Sequence, residues 1–292
     1  MPTAIMKPSR SEFVTVRGLR YHVRVWGHAA SRPLWLLHGW MDVSASFQFL
    51  VDELAGDYQV LAPDWRGFGL TQWASEGYWF PDYLGDLDAL LRHITPDAAV
   101  DIVGHSMGGN VASLFAGVRT ARVRRLALLE GFGLPGTAAA AAPARYEKWL
   151  DELAAPPAFK PYASLEEVAA RLMRNNPRLS IERARFLAPH WSQQQPDGSF
   201  LPAGDPAHKM VNPVLYRIEE ALACWQRIHC PVLWVWGDGE WMRKWLRSGE
   251  EDLAERRAAF RDLREVTLRD CGHMMHHDQP AALARALEDF LA

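Results

Sequence analysis

The amino-acid sequence reads as a mainly parallel, doubly wound α/β sheet interrupted by an inserted helical cap. Short apolar runs at 33–39, 58–64, 98–105, 123–131 and 231–238 lack polar alternation, as strands buried on both faces do. They alternate with stretches at 46–56, 81–94, 107–119 and 280–292, in which apolar residues recur every three or four positions. Strand followed by helix, repeated, means a parallel sheet covered on both sides. From Gly131 to about Ile228 no comparable buried strand occurs, so this interval is expected to be an insertion.

In chain order, FVTVRGLRYHVRVWG opens with two β-rich runs split at Gly18, an antiparallel hairpin or bent strand pair. The core then runs through residue 130 and resumes at 229–292, with 131–228 as the cap. The cap begins with GLPGTAAAAAPA, suited to a hinge, although its alanine run would serve equally as helix. Helices are expected around 145–154, 164–175, 180–188 and 215–225. After LREVTL at 263–268, a strand, the last helix closes the chain.

Composition narrows the function. With 292 residues, 49% hydrophobic and 23% charged, the chain is long and apolar enough for a large core. A net charge of -3 provides no field to draw nucleic acid or an anionic membrane, so neither is expected as a partner. Cys224, Cys230 and Cys271 form no CxxC pair, which argues against a disulfide framework or structural zinc and for a cytoplasmic location. No signal-peptide stretch opens the sequence, and no window has 18 continuous apolar residues. Thirteen tryptophans exceed the usual share and suit a core or an apolar ligand pocket.

Gly104-His105-Ser106-Met107-Gly108 fits GxSxG. The pattern alone is common, but here an apolar strand leads in and an amphipathic helix leads out. Ser106 is therefore expected at a sharp strand-to-helix turn, its hydroxyl held at the carboxyl edge of the sheet beside unpaired helix amides. A serine hydroxyl needs a base. His273, in a Gly-His between the last strand and the last helix, falls on a loop at the same edge, with His276 and His277 as competitors. The HxxHH grouping has metal-ligand residue types, yet no carboxylate or cysteine completes a recognised spacing, so no metal is expected. An oxyanion needs two amides: those of Met107, opening the helix, and Trp40, in His38-Gly39-Trp40 after an early strand, fill that role.

HGW at 38–40, DWRGFG at 64–69, GHSMGG at 104–109, WGD at 236–238 and CGH at 271–273 together resemble the α/β hydrolase family, in the family's order and across nearly the whole chain. DWRGFGLTQW, LLEGFGLP and DPAHKMVNPVLYRIEE further resemble its serine hydrolase-like branch. The resemblance implies a Ser106 nucleophile, a His273 base, Trp40 and Met107 oxyanion amides, and no cofactor. It leaves the acid open between Glu240, three residues past Gly237, and Glu130, at the end of the strand before the cap, with Asp238 third. Glu130 is preferred, because a carboxylate closing a buried strand demands a partner. Epoxide hydrolases and haloalkane dehalogenases of this fold carry aspartate where Ser106 stands.

The expected chemistry is acyl transfer on a small or medium hydrophobic ester, thioester or lactone. His38, Gly39, His105, Trp65 and Trp241 are expected to contact substrate, with Trp149, Trp191 and Trp225 in the cap. Cofactor-free haloperoxidase or perhydrolase activity, and carbon–carbon bond hydrolysis, are alternative uses of the same residues. A non-catalytic ligand-binding protein on a hydrolase scaffold is the non-enzyme alternative. Asp64 and Arg66 are expected to brace loops.

Overall fold

A computed structural model describes residues 6–239 and 249–292. Its centre is an eight-stranded sheet in the order β1-β2-β4-β3-β5-β6-β9-β10. The strands are β1 (Ser9–Val16), β2 (Leu19–Trp26), β3 (Arg32–Leu37), β4 (Tyr58–Pro63), β5 (Val100–His105), β6 (Val123–Leu129), β9 (Val232–Gly237) and β10 (Leu263–Leu268). β1 and β2 pair antiparallel, as does β2 with β4, and the remaining pairs are parallel. The opening hairpin turns at Arg17 (φ 47°) and Gly18 (φ 81°); two consecutive left-handed residues match the twist of the flanking strands.

The uninterrupted apolar runs follow from burial on both faces. Trp35, Leu37, Leu61, Ile102, Leu128 and Trp234 face α2 (Phe80–Ile94), α3 (Met107–Val118) and α7 (Ile218–Trp225). Their alternates Leu34, Leu36, Val60, Val103, Ala127 and Val235 face α1 (Gln48–Glu53) and the C-terminal helix Pro280–Leu291. A one-residue slip of any central strand would exchange the two sets. β10 lies at the sheet edge, and its partly exposed residues explain its more polar sequence.

Between β6 and β9 lie α4 (Ala142–Ala154), α5 (Leu165–Asn175) and α6 (Ile181–Trp191), followed by α7. The alanine run is helical, with a 3-10 turn at Ala139–Ala141 leading into α4. Ser164 caps α5 by accepting from the Glu167 amide, while the Glu167 side chain accepts from the Ala163 amide. α5 and α6 share a small core of Val168, Ala169, Leu179, Ala184 and Leu187, closed by Phe49 of α1.

The insertion is not purely helical. Short strands β7 (Ser192–Gln194) and β8 (Phe200–Pro202) pair antiparallel around a turn containing Asp197 and Gly198 (φ 86°). Three-residue strands bury too little to leave an apolar run, and the Asp-Gly pair was the available signal. Among the described residues no helix is long and apolar enough to cross a membrane.

The cap is latched to the core by an aromatic stack. His208 lies between Phe68 and Tyr78, with ring centroids 3.8 and 3.6 Å away, and its Nε2–H donates to the Arg66 carbonyl (3.1 Å). Tyr78 donates to Asp205 (2.8 Å), and the Asp205 amide donates to the Gly67 carbonyl (2.8 Å). Burial pushes His208 from its ordinary 6.5 down to about 3, against the opposing pull of the nearby backbone. The folded protein therefore refuses a proton that the unfolded chain accepts. Stability is fully present above pH 6.5 and is lost as pH falls from there toward 3, at up to about 1.4 kcal/mol per pH unit. His208→Phe keeps the stack without the proton, so its urea-unfolding free energy is expected to drop about 1.6 kcal/mol less than wild type between pH 6.5 and 5. Equal losses in the two proteins would show that the histidine is not held neutral.

Candidate active site

β3, β5, β6, β9 and β10 run parallel and end at the same carboxyl edge of the sheet, where open α/β sheets place ligands. β5 ends at His105, and Ser106 then takes φ 51° and ψ -116° before α3 begins at Met107. No ordinary strand or helix residue adopts that conformation, and holding it costs of order 1–3 kcal/mol. Backbone crowding explains the flanking glycines. A Cβ on Gly104 would lie 2.6 Å from Gly108 O, and one on Gly108 would lie 2.2 Å from Leu37 O. The first turn of α3 thus packs directly on the end of β3.

The same packing carries the HGW loop to the serine. A Cβ on Gly39 would come within 3.2 Å of Ser106 Cβ and 3.0 Å of His105 Nδ1. Trp40, the next residue, and Met107, the first residue of α3, both line the cavity described below. As a helix-opening residue, Met107 has an amide with no intrahelical acceptor.

β6 hands the chain to Glu130, buried and also left-handed at φ 46°. Glu130 Oε2 accepts from His273 Nδ1 at 2.7 Å, and Oε1 accepts from the Gly237 amide at 3.0 Å. Both carboxylate oxygens are therefore engaged, one by the imidazole and one by the end of β9. With Nδ1 held by Glu130, Nε2 is the His273 nitrogen that would serve a reacting group. The His273 carbonyl accepts from His105 Nε2 (2.8 Å), with the two rings 4.6 Å apart, so the residue preceding Ser106 holds the loop that bears His273.

Asp238 performs a different task from that of a base's partner. It is exposed, and it accepts from the Asp270 (2.8 Å) and Cys271 (3.0 Å) amides, bracing the loop before His273. Those amides, Cys271's first, hold its carboxyl below the usual range. Asp278 accepts from the Gly272 amide (2.8 Å) and from Asn176 at the end of α5 (2.7 Å), tying the same loop to the cap. Glu240 and Trp241 lie outside the described residues.

Several residues expected to contact substrate are buried among other side chains. His38 is fully buried, donating from Nδ1 to the Gly39 carbonyl (2.7 Å) and accepting the Trp65 amide at Nε2 (2.9 Å). Trp65 is equally buried, and its indole donates to the His38 carbonyl (3.0 Å). His105 is 1% exposed, and burial, with the charges of His273 and His276, pushes its pKa well down. Gly39 contributes backbone only, in a buried position. Loops after strands point inward as readily as outward, and residue type alone did not distinguish the two. Of the cap tryptophans, Trp149 lines the cavity, Trp191 donates to the Met41 carbonyl (2.8 Å), and Trp225 stacks on Phe260 within the core.

The competitors His276 and His277 are buried, both within reach of Ser46 Oγ, at 3.1 and 2.6 Å. Sequence spacing concealed a carboxylate partner: Asp42 Oδ2 lies 3.6 Å from His276 Nε2. Asp64 and Arg66 act as braces. Asp64 accepts from His22 (2.7 Å), the Ser44 amide (2.6 Å) and the Leu70 amide (2.9 Å). Burial would raise its pKa, but the His22 hydrogen bond and charge outweigh that and hold it well below the usual range. Arg66 forms a two-pronged pair with buried Asp86, at 2.6 Å on each side.

A cavity of about 1110 Å³ opens between the core and the cap. Its wall includes Trp40, Met107, Trp79, Phe80, Tyr83, Trp149, Leu153 and Met210. Trp40 and Trp79 are 52% and 58% exposed at its rim. Trp79 was not singled out from sequence, although the aromatic run Tyr78-Trp79-Phe80 was the available signal. Arg17 and Arg66, also on the wall, are both paired with Asp82 and Asp86. The remaining surface is largely apolar, as a pocket for a hydrophobic ligand requires.

Comparison with known proteins agrees with this architecture. A sequence profile of the alpha/beta hydrolase fold matches residues 32–280. A serine hydrolase-like protein of Danio rerio is 28% identical over 304 residues, covering 99% of this chain and 90% of its own. A 3-hydroxybutyrate-oligomer hydrolase of Cupriavidus necator is 31% identical over 291 residues, covering 93% of this chain and 92% of its own. Among solved structures, the thioesterase domain from the curacin biosynthetic pathway superposes with a TM-score of 0.84 at 26% identity, covering 96% of this chain and 99% of that one.

Proposed function

From the premise that this chain belongs to the α/β hydrolase fold family and is a serine hydrolase-like member of it, we propose that it cleaves hydrophobic carboxylic esters through an acyl-enzyme on Ser106. The observation that carries this reading is the 2.7 Å contact between buried Glu130 and His273 Nδ1, beside a serine in a strained turn. In the first step His273 Nε2 takes the Ser106 proton as Oγ attacks the carbonyl carbon. Glu130 holds the ring in the tautomer with the proton on Nδ1 and stabilises the imidazolium. The Met107 and Trp40 amides receive the oxyanion. The imidazolium then protonates the leaving alcohol, and water, deprotonated by His273, releases the acid.

The apolar wall of the cavity supports an apolar acyl or alcohol portion, and its volume accommodates a medium-length chain. Two relatives favour acyl transfer from an ester or thioester. The Cupriavidus necator protein is named for hydrolysis of 3-hydroxybutyrate oligomers, whose units are joined by esters, and the curacin domain is named as a thioesterase. The test is a panel of p-nitrophenyl esters and the matching thioesters with acyl chains of two to about twelve carbons. Turnover rising from acetyl toward a medium-chain optimum is expected. No turnover across the panel by folded protein would contradict the proposal.

A further inference from the structure

Beneath the loop that carries His273, the fold gathers Asp42, His105 and His276 from three distant parts of the sequence. They are 7%, 1% and 0% exposed, and none of them lines the cavity. One ligating atom from each falls within 4.8 Å of the others. Asp42 Oδ2 and His105 Nδ1 are buried without a hydrogen-bond partner, and His276 turns Nε2 toward Asp42. Buried polar atoms of this kind are costly unless something engages them, and here two of them belong to one small cluster.

The donor chemistry specifies what that partner is. Two imidazoles and one carboxylate suit a divalent transition metal such as zinc, and the single carboxylate offers too few oxygens for calcium. His276 Nε2 lies 3.6 Å from Asp42 Oδ2, close to the separation of about 3.3 Å between neighbouring ligands on a tetrahedral ion. Ser46 Oγ stands 3.1 Å from the same nitrogen, as a neighbouring oxygen donor. His105 already has the arrangement typical of a metal-bound imidazole, in which the other ring N–H donates to a backbone carbonyl, here that of His273 at 2.8 Å. Closing the 4.8 Å spread onto one ion requires ring movements of about 1 Å.

We propose that Asp42, His105 and His276 form a buried binding site for a divalent transition-metal ion. It stands independently of the acyl-transfer reading. Through His105 a bound ion is mechanically connected to both Ser106, the next residue, and the His273 loop.

The test uses the full chain, stripped with a chelator, dialysed against Zn²⁺ and passed through a desalting column before elemental analysis. One equivalent is expected to remain on wild type and on His273→Ala, which separates the buried site from the half-buried imidazole of His273. Asp42→Asn, which preserves shape and removes the anionic ligand, is expected to weaken Zn²⁺ binding about 100-fold or more. Co²⁺ loaded into wild type supplies a readout that needs no variant: intense visible bands of a four-coordinate N/O site are expected. Retention below a tenth of an equivalent, undiminished binding by Asp42→Asn, or a weak six-coordinate cobalt spectrum would each overturn the proposal. In that case the three groups would instead share protons among themselves.

Discussion

Replacing Ser106 with alanine is expected to lower kcat for ester hydrolysis by about 10⁴- to 10⁶-fold, with the folded state intact. The size of the loss follows from the loss of covalent chemistry: without Oγ, His273 has only water to activate, and water is not held in position by the turn. Alanine fits where serine stands, because Ser106 contributes its strained backbone and its hydroxyl to the site and no side-chain cap to α3. Replacing serine with alanine at this positive-φ position leaves the backbone strain in place, so the melting temperature should change little. Steady-state kinetics on the best p-nitrophenyl ester, alongside thermal melting, checks both statements. Activity within tenfold of wild type would mean that the hydrolytic nucleophile is elsewhere.

Glu130→Gln is expected to lower kcat about 10³- to 10⁴-fold with little change in KM. Both oxygens of Glu130 accept hydrogen bonds, from the His273 imidazole and from the Gly237 amide. A glutamine side chain has one acceptor and one donor end, so whichever way it turns, a donor faces a donor. Either the ring loses its orienting partner and the imidazolium its counter-charge, or the end of β9 loses its anchor. The second outcome also costs stability, of order 1–3 kcal/mol for an unsatisfied buried group. The split between kcat and KM separates a role in catalysis from loss of the cavity, because Glu130 does not line the cavity. If Glu130→Gln retained more than about a third of wild-type kcat, the acid would have to be sought at Glu240.

The sequence made the sheet legible because its central strands are buried on both faces, so their apolar runs have no competing explanation. The Gly18 hairpin and the helices with a single apolar face were readable from the opposite pattern, burial on one side only, which leaves a period of two or of three to four. The β7–β8 hairpin was not, since three-residue strands paired in a two-stranded sheet contribute almost nothing to periodicity. At the site, Ser106 and His273 were marked by local grammar: glycines demanded by backbone contact, and a loop between the last strand and last helix. The preference for Glu130 rested on the cost of an unpaired carboxylate at a strand end, and that carboxylate meets the imidazole. His38, His105 and Trp65 could not be placed by such grammar. Whether a loop residue faces solvent, substrate or the interior depends on contacts made by segments far away in the chain. Asp42 illustrates the same limit, because no spacing rule connects position 42 with 105 and 276.

The most direct test of an activated serine is the intact mass of the full chain after reaction with a fluorophosphonate. One adduct on wild type, none on Ser106→Ala, and labelling slowed by at least about 100-fold on Glu130→Gln is the predicted result. An unmodified wild-type mass after prolonged exposure, or an adduct that persists in Ser106→Ala, would contradict it.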